Sequence, residues 1–139
     1  MKKMYFIIIY VLLLSIGAIN SANKSITKLE AYNIVISGID STTLDSTEIF
    51  VSKQILPANT VIEIGDKSIE SPDYGSWMFF INKYPLSNWG HSCNYMFIGS
   101  NNGEVDIIES NFYPTKPSLA DMDKIKSSVV TFDESVFVK

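Results

Sequence analysis

The chain has 139 residues, enough for one domain, and carries 11 lysines and no arginine against 15 acids, for a formal net charge of −4. With no basic cluster beyond Lys2-Lys3, it lacks the countercharge that a phosphate backbone requires, which excludes nucleic-acid binding. One histidine and one cysteine exclude an internal disulfide. They also leave a tetrahedral metal site dependent on carboxylates or a second chain, so neither metal nor cofactor is expected.

Lys2 and Lys3 precede an uncharged, mostly apolar run from Met4 to Ile19, and Asn20, Ser21 and Ala22 follow. This is the layout of a secretory signal peptide. The run is shorter than the roughly 20 residues of a membrane-spanning helix. We expect a leader over 1–21, cleaved after Ser21, and a single secreted or extracytoplasmic domain over 22–139. Membrane attachment follows only if the leader is retained. Asn23-Lys24-Ser25 is a glycosylation sequon if the host is eukaryotic.

Thr27 and Glu30 have capping-box spacing, in which the threonine hydroxyl and the glutamate each satisfy one orphan N–H at a helix start. Leu29, Tyr32, Val35, Ile36 and Ile39 recur at helical spacing, and Gly38 is a natural stop, so a helix is predicted over Lys28–Ser37. Residues 41–47 are rich in Ser, Thr and Asp and read as a loop. Strands are predicted over 48–55 and 60–64, with a short extension over 68–71. The unbroken apolar run Trp77–Ile81 reads as a central strand covered on both faces. A polar loop leads from it to a strand over Cys93–Ile98. Asn101-Asn102-Gly103 then predicts a tight hairpin turn into a partner strand over Glu104–Glu109. Beyond Pro114 and Pro117, Leu119, Met122, Ile125 and Val129 predict a helix over 118–128 capped by Ser118, and 129–138 reads as a strand or tail.

This order predicts an α+β domain: an antiparallel β-meander of four to five strands with an N-terminal helix packed on one face. It resembles the order of cystatin-like and propeptide-like domains.

Chemistry would have to come from few residues. His91 and Cys93 are two apart and leave one face of an extended chain, and an imidazole beside a thiol can generate a nucleophile. A minimal Cys/His hydrolase using Cys93 and His91 is therefore the alternative to a chain with no catalytic residue. The competing reading buries Cys93 as a small apolar residue and lets the His91 ring bond the loop backbone. Asp106 and Glu109 are the carboxylates nearest a metal-binding arrangement. Glu63, Glu70, Asp73 and Asp106 are the acids from which a hydrolytic pair would come. No spacing singles out two of them. Tyr84, Asn88, Trp89 and His91 share the polar loop, where aromatic side chains serve as anchors for a partner, and we take them as candidate binding residues.

Trp77-Met78-Phe79-Phe80-Ile81-Asn82, then Pro85, then Asn88-Trp89-Gly90-His91-Ser92-Cys93-Asn94-Tyr95-Met96-Phe97 is similar to a motif of modules found in secreted, chiefly bacterial, proteins. That pattern reads Trp-x-Phe-Phe-Ile-Asp, Pro, then Asn-Trp-x-His-Pro-Cys-x-Tyr-x-Phe. A looser likeness runs from Glu48 to Thr60. Asn82 stands where the pattern has Asp, and Ser92 where it has Pro. The resemblance implies a structural role for the Trp–His–Cys loop and a propeptide-like position. The expected function is thus a small secreted, non-enzymatic binding domain whose partner is a protein such as a secreted peptidase.

Overall fold

The computed structural model describes residues 25–86 and 90–126. The expected leader, the sequon at Asn23, the loop residues Asn88 and Trp89, and the stretch 129–138 lie outside the described residues. The fold is α+β with antiparallel strands.

Helix α1 spans Lys28–Ser37 and starts as its sequence predicts. The Glu30 N–H donates to Thr27 Oγ1 at 3.2 Å, and the Thr27 N–H donates to Glu30 Oε2 at 2.9 Å. Ala31, Tyr32 and Val35 form its buried face, while Leu29 points largely to solvent, so the stripe is narrower than its spacing suggested. A one-turn helix α2, Ser41–Leu44, replaces the expected loop. Its cap is Asp40, whose carboxylate accepts from the Thr42 N–H at 2.8 Å. Ser, Thr and Asp favour caps and loops alike, and composition does not separate the two.

Strands β1 (Glu48–Ser52), β2 (Val61–Ile64), β3 (Lys67–Glu70), β4 (Ser76–Asn82), β5 (Cys93–Gly99) and β6 (Val105–Ser110) follow, then helix α3 (Lys116–Ala120) and strand β7 (Met122–Lys126). The five-stranded sheet has the order β6-β5-β4-β1-β7, and β2 with β3 forms a separate two-stranded sheet. Strands β1, β4, β5 and β6 make a meander, with the β2–β3 hairpin looped out between its first two members. Gly65 opens the hairpin's two-residue turn with φ 58°, and an added Cβ there would stand 2.8 Å from the Phe112 ring. Glycine is the residue that this backbone and this close approach both demand.

β4 lies at the centre of the sheet and is buried on both faces, as its apolar run predicts. Phe79 and Ile81 face α1, joining Val35, Ile49, Met96 and Ile98 in one core. Met78 and Phe80 face the hairpin, joining Ile62, Ile64, Tyr95 and Phe97 in a second core. Trp77 ties the first cover down: its indole N–H donates to the Ile26 carbonyl at 2.9 Å, just ahead of α1. The second cover is held where the Gly65 N–H meets the Tyr113 carbonyl at 3.0 Å and the Thr115 N–H meets the Glu63 carbonyl at 3.2 Å.

The helix expected over 118–128 is corrected. Lys116–Ala120 forms one short helix and Met122–Lys126 pairs with β1 as a strand. Positions 122 and 125 share a helix face but lie on opposite faces of a strand. Because the sheet has a core on each side, Met122 is buried in one and Ile125 in the other. The i, i+3 spacing that reads as a helical stripe is equally satisfied by a strand covered twice.

Thr27→Ala should remove the hydroxyl cap on the Glu30 N–H, leave the backbone N–H bond to Glu30 in place, and cost about 1 kcal/mol. Urea unfolding monitored by tryptophan fluorescence would measure it, and an unchanged midpoint would show that α1 is held by packing alone.

Candidate functional site

At the end of β4 the chain leaves the sheet through the loop that carries the candidate binding residues. Asn82 is the last residue of that strand and is only 1 % exposed, so each polar atom of its side chain needs a partner. Its Oδ1 accepts from the Tyr84 N–H at 3.0 Å, fixing the start of the loop as an Asx turn. The same oxygen lies 2.8 Å from His91 Nε2, which returns from the far side of the loop. Its Nδ2 donates to Glu48 Oε2 at 3.4 Å, on the neighbouring strand β1. The other Glu48 oxygen pairs with Lys124 of β7. Tyr113 completes the group, its hydroxyl 3.0 Å from His91 Nε2 and its ring edge-on to the imidazole.

The orientation of the amide follows from these bonds. With Oδ1 taking the Tyr84 N–H and Nδ2 directed at a carboxylate, Asn82 presents an acceptor to the imidazole. His91 Nε2 therefore carries a proton and donates to Asn82 Oδ1, with the Tyr113 oxygen as a second acceptor. The Tyr84 ring stands perpendicular to His91 at 5.8 Å between centroids, so the histidine is held by two aromatic rings as well as by the amide.

Thiol, imidazole and amide are the residue types of a Cys-His-Asn hydrolase, and the imidazole–amide half is present. The thiol half is arranged differently. Cys93 has no exposed surface, and its Sγ donates to the carbonyls of Ser110 at 3.1 Å and Phe112 at 3.4 Å. Burial pushes its pKa up to about 11, so the thiol keeps its proton at neutral pH. The Phe112 carbonyl also accepts from the Tyr95 hydroxyl at 2.8 Å. Burial, then the neighbouring Cys93 and Tyr113, raises the Tyr95 pKa as well. Cys93 and Tyr95 thus serve to satisfy the backbone where it leaves β6.

The other residues considered do not join this group. Of the motif's aromatic residues Phe79, Tyr95 and Phe97 are core, whereas Tyr84 in the loop is 56 % exposed. Asn88 and Trp89 lie outside the described residues. Glu70, Asp73 and Asp106 border one depression of about 360 Å³, and Glu63 does not join them. Asp106 accepts from the Tyr74 hydroxyl, and Glu109 borders a second depression. No group of three His, Cys, Asp or Glu side chains converges for a metal ion among the described residues. Sequence reasoning missed Glu48, Tyr113 and Lys124 as members of the His91 group, since 34 positions separate Glu48 from Asn82 and 22 separate His91 from Tyr113. The one available signal was Asn82 itself, an amide closing an apolar strand.

Asn82→Ala should cost about 2 kcal/mol, because it strands the Tyr84 N–H and removes the amide's bonds to His91 and Glu48. Chemical denaturation of the variant measures this, and a loss under about 0.5 kcal/mol would mean that water replaces the amide. Cys93 gives a pH dependence. Its folded pKa is raised from 9.0, so the unfolded chain ionises first, and stability is full below pH 9 and falls as pH rises towards about 11. Cys93→Ala should flatten the onset of that fall, before the buried tyrosines add theirs. An identical pH profile in the variant would deny the thiol this role.

No family model, no curated protein and no solved structure matches this chain.

Proposed function

We propose that this chain is a small secreted, non-enzymatic binding domain whose contact surface centres on the loop between β4 and β5. The observation that carries this reading is the contrast between the base of the loop and its tip. The base is braced by the Asn82–His91–Tyr113 group, while Tyr84 and Leu86 stand 56 % and 94 % exposed beside it. Apolar side chains held out on a rigid footing lose little conformational freedom on binding, which is what an interface anchor requires. Asn88 and Trp89 belong to the same stretch of sequence and remain candidate contact residues. The partner class that fits best is a protein, such as a secreted peptidase met by a propeptide or inhibitor.

The alternative, a Cys/His hydrolase, draws support from the His91–Asn82 bond alone. It needs Cys93 to come out of the core and exchange two carbonyl acceptors for the imidazole. A thiol reagent separates the two readings: the binding domain should react only after unfolding, the hydrolase rapidly at neutral pH in the native state.

The binding reading is tested by recovering the protein from native secretions with whatever co-purifies, then repeating the recovery with Tyr84→Ala, Leu86→Ala and Trp89→Ala. A co-purifying peptidase that is inhibited by the protein, and lost by about tenfold or more in affinity from these variants at unchanged stability, is the expected result. Undiminished binding by all three would rule out the loop as the contact surface.

A further inference from the structure

The hairpin that covers the second face of the sheet has two outer edges, and one is taken. Residues 113–115 bond along β2 through the Gly65 and Thr115 N–H groups, and Ile64 bridges Pro114. Among the described residues no strand pairs with the outer edge of β3, and β6 has a neighbour only on its β5 side. These two strands run beside each other in opposite directions. A depression of about 340 Å³ lies between Lys67–Ile69 of β3 and Glu109–Phe112 at the end of β6. The depression of about 360 Å³ lies between Glu70–Tyr74 and Glu104–Ile108. Their linings adjoin at Ile69–Glu70 and Ile108–Glu109, so the two depressions lie end to end between β3 and β6, and we treat them as one trough.

The burial of the strands shows what the trough leaves uncovered. β4 and β5 are buried at every position but one each, whereas on the hairpin face of β6 Asp106 is exposed and Ile108 and Ser110 are only half-buried, its other three residues facing the helix side. Among the described residues the hairpin layer ends at β3, and a further strand would lie over the half-buried face of β6. The backbone of β3 is set to receive that strand. The Glu63 carbonyl bonds outward from β2 to Thr115, so its cross-strand partner Ser68 also directs its N–H and carbonyl outward, on the opposite edge. Ile108 and Ile69, both only partly buried, supply apolar surface along the trough.

The charge of the trough narrows the occupant. Glu70, Asp73, Glu104 and Asp106 border its wider end, with Tyr74 donating to Asp106. The two ion pairs between described residues, Lys28–Asp123 and Lys124–Glu48, lie elsewhere. Lys67 stands at the other end, over the Phe112 ring and near Glu109.

We propose that this trough takes an extended segment of a partner polypeptide, which adds to β3 as a third strand and seats a lysine or arginine among Glu70, Asp73 and Asp106. Main-chain pairing supplies affinity and the acidic end supplies selection. The proposal rests on the reading of the chain as a binding domain and gives its partner a chemistry.

The test pans a random displayed peptide library on the immobilised full chain and measures the enriched peptides by fluorescence anisotropy. Enriched sequences should be strand-forming and carry Lys or Arg, with affinity falling as salt is raised. Ser68→Pro removes the outward N–H at a position where an edge strand tolerates proline. Glu70→Lys with Asp73→Lys reverses the charge without touching the backbone, and stands if the proline variant fails to fold. Each should weaken binding by roughly tenfold, and Tyr84→Ala with Leu86→Ala should not. Neutral or acidic winners, or no enrichment at all, would overturn the proposal, as would binding indifferent to both trough variants. If affinity is instead lost with the loop variants, the trough fails and the loop reading stands. A dimer that Ser68→Pro dissociates would assign the trough to a second copy and also overturn it.

Discussion

β4 carries apolar side chains on both faces, and a strand of that kind must be covered twice. Phe79 and Ile81 point one way, Met78 and Phe80 the other, and all four are buried. Burying such side chains is worth about 1.5–3 kcal/mol each, and in a chain with one cysteine no covalent link shares the task. The two covers follow from this need. α1 is laid on one face through Trp77 and the segment ahead of the helix. The β2–β3 hairpin is folded over the other, which is why it leaves the meander between β1 and β4 and pairs with neither.

The same arrangement governs the polar groups. Where the sheet ends, side chains on the hairpin face can no longer be apolar throughout, because the chain must turn. Asn82 meets this by bonding in three directions at once, to the Tyr84 N–H, to His91 and to Glu48. A histidine so constrained reads as architecture, and the neighbouring thiol, bonded to two carbonyls, reads the same way. An unpaired buried polar group costs about 1–3 kcal/mol, so satisfying the turn is a sufficient reason for these residues to be where they are.

The covers are unequal in width. The helix side leaves Val105 and Ile107 of β6 at 41 % and 53 % exposed, and the hairpin side stops at β3. β6 is thus the strand on which both layers run out. An exposed strand edge invites pairing, and charged side chains are the usual guard against indiscriminate partners. Here that guard is mainly acidic, with Glu70 on β3 and Asp106 and Glu109 on β6.

The sequence by itself determined the local elements that a few neighbouring residues enforce. These are α1 through Thr27 and Glu30 and the β5–β6 hairpin around Asn101-Asn102-Gly103, where Gly103 alone takes a positive φ, because each depends on contacts within a few positions. Through the unbroken apolar run Trp77–Ile81 it announced a strand in need of two covers, without saying which elements supply them. It also determined that Cys93 would be interior, since Tyr95 and Phe97 continue its alternation. The tertiary structure alone decided the identity of β7, because Met122 and Ile125 satisfy a helix stripe or a twice-covered strand equally well until two cores exist to receive them. It alone brought Glu48, Asn82, His91 and Tyr113 together, and it alone set β3 beside β6. Those placements depend on register between distant strands, and register is an outcome of which faces are buried.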